Sequence, residues 1–302
     1  MGGFLGVSRC RAARLATALA VMWFGWLAAP PAEAAGAVLV GAGDIAVCNS
    51  PGDSATAKLL ASIGGAVFTL GDNVYEDGTA KEFRACFGPT WGRFKGRIRP
   101  AIGNHEYGSA GARGYWDYFG FRAGQRWKGW YSYSAGDWRV IVLNSNCGKV
   151  GCGKGSEQER WLRAELAKHT NKCTLAYFHH PRFSSDNKHG NGWEVGPFWE
   201  ALYDYGADLV LSGHAHSYER FAPQTPWGKH DPSHGIRQIV VGTGGAALYS
   251  MGSTRPNSQV RNANTHGVLK LNLSSDSYRW NFIPQAGKWF RDTGHGKCHG
   301  RP

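Results

Sequence analysis

The chain has 302 residues with a formal net charge of +12, a balance that concentrates anions of any kind near its surface, whether phosphate esters, nucleic acid or an acidic cell surface. No repeat, charge block or long Pro/Ser linker interrupts residues 36–302, which argues against a tandem or linker-joined architecture. The length left after the first 34 residues, about 270, fits one large domain with a sizeable core.

The amino-terminal stretch reads as an export leader. It has a basic start at Arg9, Arg11 and Arg14, an apolar centre from Leu15 to Leu27, and an Ala-x-Ala site in Pro30-Pro31-Ala32-Glu33-Ala34. The apolar run is shorter than the roughly 20 residues needed to span a bilayer, and two prolines follow it. The arginines are not paired, and Cys10 precedes the apolar centre, so neither a twin-arginine nor a lipoprotein route is expected. Cleavage is expected after Ala34 or Ala35, leaving residues 35–302 as a secreted domain, extracellular or periplasmic, with no membrane span. Losing Arg9, Arg11, Arg14 and Glu33 takes the charge from +12 to +10.

Six cysteines remain beyond Cys10: Cys48, Cys86, Cys147, Cys152, Cys173 and Cys298. An even count in an exported chain favours disulfides, and the C-x-x-C spacing of a zinc cluster is absent. Six cysteines allow 15 connectivities, among which the sequence does not choose. The pairing adopted as an expectation is Cys147–Cys152 for the tight Gly-rich loop, then Cys48–Cys86 and Cys173–Cys298.

Short apolar runs end again and again in polar, glycine-containing turns. Ala37–Val40 precedes Gly41-Ala42-Gly43-Asp44; Ala66–Leu70 precedes Gly71-Asp72; Pro100–Ile102 precedes Gly103-Asn104-His105; Cys173–Phe178 precedes His179-His180; Asp208–Leu211 precedes Ser212-Gly213-His214. These read as buried strands. Helices are expected near Asp53–Ile63, Thr79–Ala85, Ser156–Lys168 and Trp193–Tyr205, the third opened by a Ser156-Glu157-Gln158-Glu159 capping box. Trp130–Ser134 and Trp138–Leu143 straddle Ala135-Gly136-Asp137 as a hairpin. Ile236–Val241, Gly267–Leu273 and Tyr278–Ile283 add strands without helices. The pattern predicts an α/β fold in which two sheets pack together with helices outside.

Each of those strand ends delivers a potential metal ligand, where sites in open α/β sheets gather. They are Asp44, Asp72 with Tyr75, Asn104 with His105, His179, and His214 with His216. Singly each has a structural explanation: Asp44 as a helix cap, Asn104 as a turn residue, His179 as a buried satisfied histidine. In this order and at strand ends, they point to one centre.

Gly43-Asp44, Gly71-Asp72-Asn73-Val74-Tyr75, Gly103-Asn104-His105-Glu106, His179-His180-Pro181 and Gly213-His214-Ala215-His216 resemble the five ordered blocks of the calcineurin-like metallophosphoesterases. Tyr75 and Tyr218-Glu219-Arg220 resemble the purple acid phosphatase branch. The resemblance implies a sandwich of two mixed β-sheets flanked by helices and two metal ions. One ion would be held by Asp44, Asp72, Tyr75 and His216, the other by Asp72, Asn104, His179 and His214, with Asp72 bridging. A phenolate is a hard anionic ligand and favours Fe(III) at the first position, while two imidazoles and an amide oxygen suit Zn, Mn or Fe(II) at the second. The implied reaction is hydrolysis of a phosphate monoester by a metal-bound hydroxide, with a phosphodiesterase or nucleotidase as the alternative. His105 is the candidate for contacting phosphate or protonating the leaving oxygen. His189, at a family-like distance from His179, is a second candidate or a surface histidine.

The first block departs from the family, since Ala46 cannot bind metal and Tyr75 must complete that site. The β-sandwich of large plant-type members is not expected before Ala37, and a compact catalytic domain is expected. His180 is expected to be the variable residue of His-x-Pro, although two adjacent histidines leave the choice open. Gly242-Thr243-Gly244-Gly245 offers a weak phosphate-cradle signal without a following lysine. Trp23 and Trp26 belong to the leader, and tryptophans between Trp116 and Trp138 could shape access. A non-catalytic polyanion-binding protein is the reading from another class; no specific nucleic-acid partner is expected, and the sequence is silent on oligomeric state.

Overall fold

A computed structural model describes residues 1–6 and 36–301. The leader expected over residues 1–34 thus falls largely outside the described residues.

Six strands make the first sheet, in the order Thr293–Lys297, Ser277–Pro284, Gly267–Leu273, Ala37–Ala42, Ala66–Leu70, Ile98–Ala101. Seven make the second, in the order Ser258–Asn262, Tyr218–Phe221, Arg237–Val241, Leu209–Ser212, Cys173–Tyr177, Trp138–Val142, Tyr131–Ala135. Ala46–Val47 pairs separately with Val74–Tyr75. Ala37–Ala42, Ala66–Leu70 and Ile98–Ala101 run parallel, as do Trp138–Val142, Cys173–Tyr177, Leu209–Ser212 and Arg237–Val241. The expected pair of mixed sheets flanked by helices is present.

Period-two alternation explains why these strands are apolar on both faces. In the second sheet Val140, Val142, Leu209 and Leu211 join the core shared with Leu39, Phe68 and Leu271 of the first sheet. Ile141, Leu143, Ala176 and Val210 face the other way, onto Leu162 and Leu166 of the Glu157–Lys168 helix and Phe198, Trp199 and Leu202 of the Gly196–Asp204 helix. Full burial of side chains this large stabilises by roughly 1.5–3 kcal/mol each. Polar substitution at Val210 or Leu211 would therefore breach one core or the other.

The carboxyl ends of the parallel strands meet across the two sheets. Gly43 N donates to Val241 O at 2.9 Å, and Gly244 N donates to Gly43 O at 2.8 Å. All three expected disulfides form: Cys48–Cys86, Cys147–Cys152 and Cys173–Cys298. Among the described residues no helix is long and apolar enough to cross a membrane.

Several details differ from the sequence reading. Residues Thr79–Ala85 begin as a short helix with a full Thr79/Glu82 capping box and continue as a π-helical turn over Phe83–Phe87. At the Ser156 box the serine accepts from Glu159 N, but Glu159 turns to Gly155 N and Arg163, so only half the box forms. Among the glycines at 242–245, two N–H groups are already engaged, Gly242 N with Ser217 O and Gly244 N with Gly43 O. Close packing is their role, because a Cβ at Gly244 would lie 2.5 Å from Gly43 O. Trp116, Trp130 and Trp138 are buried packing residues, whereas Trp127 is exposed.

Candidate dinuclear metal centre

Backbone conformation places the expected ligands before any side chain is considered. Asp44, Asp72 and His214 take left-handed φ values of 61°, 47° and 67°. Each turns sharply at the end of its strand and aims its side chain across the gap between the sheets. The neighbouring glycines are required by proximity: a Cβ at Gly103 would lie 2.1 Å from Asp72 Oδ1, and one at Gly213 2.6 Å from Asp44 Oδ2.

The seven residues expected as metal ligands come together in two groups. In the first, the Tyr75 hydroxyl lies 3.1 Å from Asp44 Oδ1 and 3.0 Å from His216 Nε2, and His216 Nε2 is 3.3 Å from Asp44 Oδ1. In the second, His179 Nε2 lies 2.9 Å from Asn104 Oδ1, 3.2 Å from His214 Nδ1 and 3.3 Å from Asp72 Oδ2. Asp72 Oδ2 belongs to both, being also 3.2 Å from the Tyr75 hydroxyl.

Two observations fit this set to cations. Asp44 and Asp72 are almost completely buried, yet neither has a lysine or arginine within 4 Å among the described residues. Buried carboxylates without a cationic partner carry a cost of several kcal/mol each unless something positive joins them. The imidazoles are also oriented for ligation, since carbonyls only accept: His179 Nδ1–H donates to Leu70 O and His216 Nδ1–H to Ala247 O, each at 2.7 Å. Their Nε2 lone pairs therefore point inward, the arrangement that second-shell carbonyls impose on metal-binding histidines.

Protonation follows the same charges. Burial alone would raise the Asp72 carboxyl, but His179 and then His105 outweigh it and hold it below the usual range. Burial would lower His179, but Asp72 raises it to about 9. At His216 burial again opposes and Asp44 wins, raising it. Burial, then the charge of His179 and His180, pushes His214 far down. Burial followed by Asp44 and Asp72 keeps the Tyr75 phenol protonated.

His105 sits at the edge of the group, with Nδ1–H donating to Glu76 O at 2.6 Å and Nε2 turned toward Asp72 Oδ2 at 3.9 Å. The His189 ring lies 4.0 Å from the His214 ring, so it stands at the site as a wall, and burial lowers its pKa. His180 is tied to Ser145: its Nδ1 is hydrogen-bonded to Ser145 Oγ at 2.8 Å, its N donates to the same hydroxyl, and its ring packs 4.4 Å from His214. Of the two adjacent histidines, His179 is the one that faces Asp72 and Asn104.

Sequence reasoning missed the residues that act through sequence-distant partners. Glu106, wholly buried, accepts from Asn73 N and Gly103 N at 2.7 Å and from Asp72 N at 3.1 Å, tying two ligand loops together. Burial and then the Asp72 charge raise its carboxyl to about 7. Asp186 accepts from the N–H groups of Lys188 and His189 at 2.8 Å. Tyr249 stacks on His216 at 3.9 Å. The only signal was that Glu106 follows Asn104-His105 directly.

The profile of the calcineurin-like phosphoesterases matches residues 39–218. An uncharacterised protein of Mycobacterium tuberculosis strain H37Rv is 32% identical over 185 residues, 49% of this chain and 35% of its own length. Purple acid phosphatase 15 of Arabidopsis thaliana is 30% identical over 173 residues, 51% of this chain and 32% of its own length. The chain therefore spans about a third of the length of these curated relatives. A purple acid phosphatase from yellow lupin seeds shares the fold, with a TM-score of 0.72 at 19% identity over 88% of this chain and 54% of its own. With more than half of the chain under the family profile and its five motif blocks gathered at one site, the protein belongs to the calcineurin-like phosphoesterase family.

Proposed function

We propose that the protein is an exported, metal-dependent phosphoesterase whose domain follows a leader of residues 1–34 and which hydrolyses phosphate monoesters. The observation that carries this reading is the pair of donor groups sharing Asp72 Oδ2 around two buried carboxylates that face no lysine or arginine among the described residues. Asp44, Asp72, Tyr75 and His216 would hold one ion, and Asp72, Asn104, His179 and His214 the other. The Tyr75 phenol favours Fe(III) in the first position, and the nitrogen-rich second position suits Zn, Mn or Fe. Two such ions supply Lewis acidity toward a phosphoryl group and make water acidic enough to act as a nucleophile.

The chain's own groups do the rest. Glu76 O fixes the His105 tautomer, which leaves Nε2 free to take up a proton and deliver it to a leaving oxygen on the Asp72 side. His189 closes the opposite wall against His214. Three disulfides, matching an oxidising compartment, support export.

A second reading, a diesterase, has one observation in its favour. Clefts of about 430 and 350 Å³ open on the His214 and His216 sides of the ligand cluster, room for two substituents on phosphorus. Metal-loaded protein assayed with p-nitrophenyl phosphate and with bis(p-nitrophenyl) phosphate separates the two. Asn104→Ala and His214→Ala should each abolish turnover and lower bound metal while the fold persists. Full turnover with unchanged metal content in both variants would refute the assignment.

A further inference from the structure

Lys188 is a cation that nothing so far explains. It is exposed, and among the described residues no carboxylate lies within 4 Å of its ammonium group. Lys188 Nζ donates to the Tyr249 hydroxyl at 2.9 Å and sits 4.2 Å above the Tyr249 ring. That ring in turn stacks nearly parallel, at 9°, on His216. The backbone beneath the lysine is fixed, because the buried Asp186 carboxylate accepts from the N–H groups of Lys188, His189 and Gly190. An ammonium group has three N–H donors, and only one of them is used on the Tyr249 hydroxyl. Lys188 itself forms part of the wall of a 350 Å³ cleft that also includes Tyr75, His105, His216 and His266. Glu76, the one acidic residue of that lining outside the ligand cluster, leans toward His105 Nδ1 at 3.7 Å.

We propose that Lys188, presented by the Asp186-pinned loop and steadied on Tyr249, is an anion-binding residue that selects phosphate monoester dianions over diester monoanions. The proposal rests on the phosphoesterase reading and deepens it by naming the substrate charge. The two ester classes differ by one negative charge on phosphorus, and one positive charge at the cleft wall responds to that difference. A cation recruited only to hold Tyr249 in place would act equally on both classes.

The test uses metal-loaded protein at pH 7, where a monoester is largely dianionic. The ratio of kcat/KM for p-nitrophenyl phosphate to that for bis(p-nitrophenyl) phosphate is measured together with the Kd of inorganic phosphate. Lys188→Met, which keeps the apolar stem over Tyr249, should lower the ratio about tenfold and raise the phosphate Kd about tenfold, the effect of one charge pair at a half-solvated site. Lys188→Arg should hold both values within about threefold of the parent, and Lys154→Met, an exposed cation elsewhere, should change neither. Parent-like values in Lys188→Met, or equal losses in Lys154→Met, would overturn the assignment. If the parent turns over neither ester, the phosphoesterase reading fails by itself, and the phosphate Kd still decides the role of Lys188.

Discussion

Glu106→Gln separates stability from site geometry. The carboxylate accepts two short hydrogen bonds, from Asn73 N on Oε1 and from Gly103 N on Oε2. Glutamine has one acceptor oxygen, so its amide group must face one of these N–H donors. Losing one bond to a charged acceptor costs about 1.5–3 kcal/mol, and reducing the other to a neutral acceptor costs about 1 kcal/mol more. Set against this, the folded protein raises Glu106 from 4.5 to about 7, a penalty of about 3 kcal/mol on the ionised form that a neutral amide escapes. The two nearly offset, so global stability should change by only about 1 kcal/mol. Site geometry has no such offset. The loops carrying Asp72 and Asn104 lose their common tie, and displacement of reacting groups by about 1 Å costs on the order of 10²-fold in rate. Urea unfolding, metal stoichiometry and kcat measured on one preparation give the comparison. A variant with full metal content and turnover within threefold of the parent would show that Glu106 does not position the ligand loops.

Three further outcomes are expected. Tyr75→Phe should remove the visible charge-transfer band of iron-loaded protein and weaken iron retention; an active, colourless, iron-free parent unchanged by the substitution would sink the Fe(III) assignment. Double alanine replacement of each disulfide should destabilise in order of the chain it closes, with sequence separations of 125, 38 and 5 residues for Cys173–Cys298, Cys48–Cys86 and Cys147–Cys152. Loop entropy gives about 5, 4 and 2 kcal/mol, and chemical denaturation showing the shortest loop to matter most would contradict that account. Burial raises Asp208 from 3.8 to about 6, so its stabilising contribution is complete below about pH 4 and is lost as pH rises through 6. Wild-type stability should therefore drop by up to about 3 kcal/mol across that window relative to Asp208→Asn, and parallel pH profiles of the two proteins would argue against a shifted Asp208.

Much of the candidate site was legible because Asp44, Asp72, Asn104 and His214 each follow a glycine at the end of a buried strand, so that chemistry and fold are written in the same few residues. Gly71-Asp72 and Gly213-His214 are short words whose glycines are needed by the neighbouring strand, as the close approach of a Cβ to His179 Nδ1 or Asp44 Oδ2 shows. The helix Arg113–Phe119 was not legible: its residues are aromatic and its start, at the left-handed Ala112, has no side-chain cap. The strand Thr293–Lys297 escaped because Gly294 and Gly296 replace apolar residues where the Trp280 and Tyr278 rings cover the backbone. Contacts between distant segments leave no local pattern, and so the Lys188–Tyr249 pair, 61 residues apart, could not be read.

The backbone at the site adopts what the local chain would avoid. Asp44, Asp72 and His214 are left-handed, at about 1–3 kcal/mol each, and two of them are also buried carboxylates. Together these terms rival the 5–15 kcal/mol by which a typical domain is stable. They persist because the flanking strands are held elsewhere: Ala37–Ala42 between Gly267–Leu273 and Ala66–Leu70, and Leu209–Ser212 between Cys173–Tyr177 and Arg237–Val241. None of these pairings needs the ligands. A strained residue released by unfolding gains freedom, whereas a cation bound by the folded site stabilises only the folded state. Metal loading should therefore raise the melting temperature far more than it changes the fold, with the gain concentrated in the strand ends that carry Asp44, Asp72 and His214.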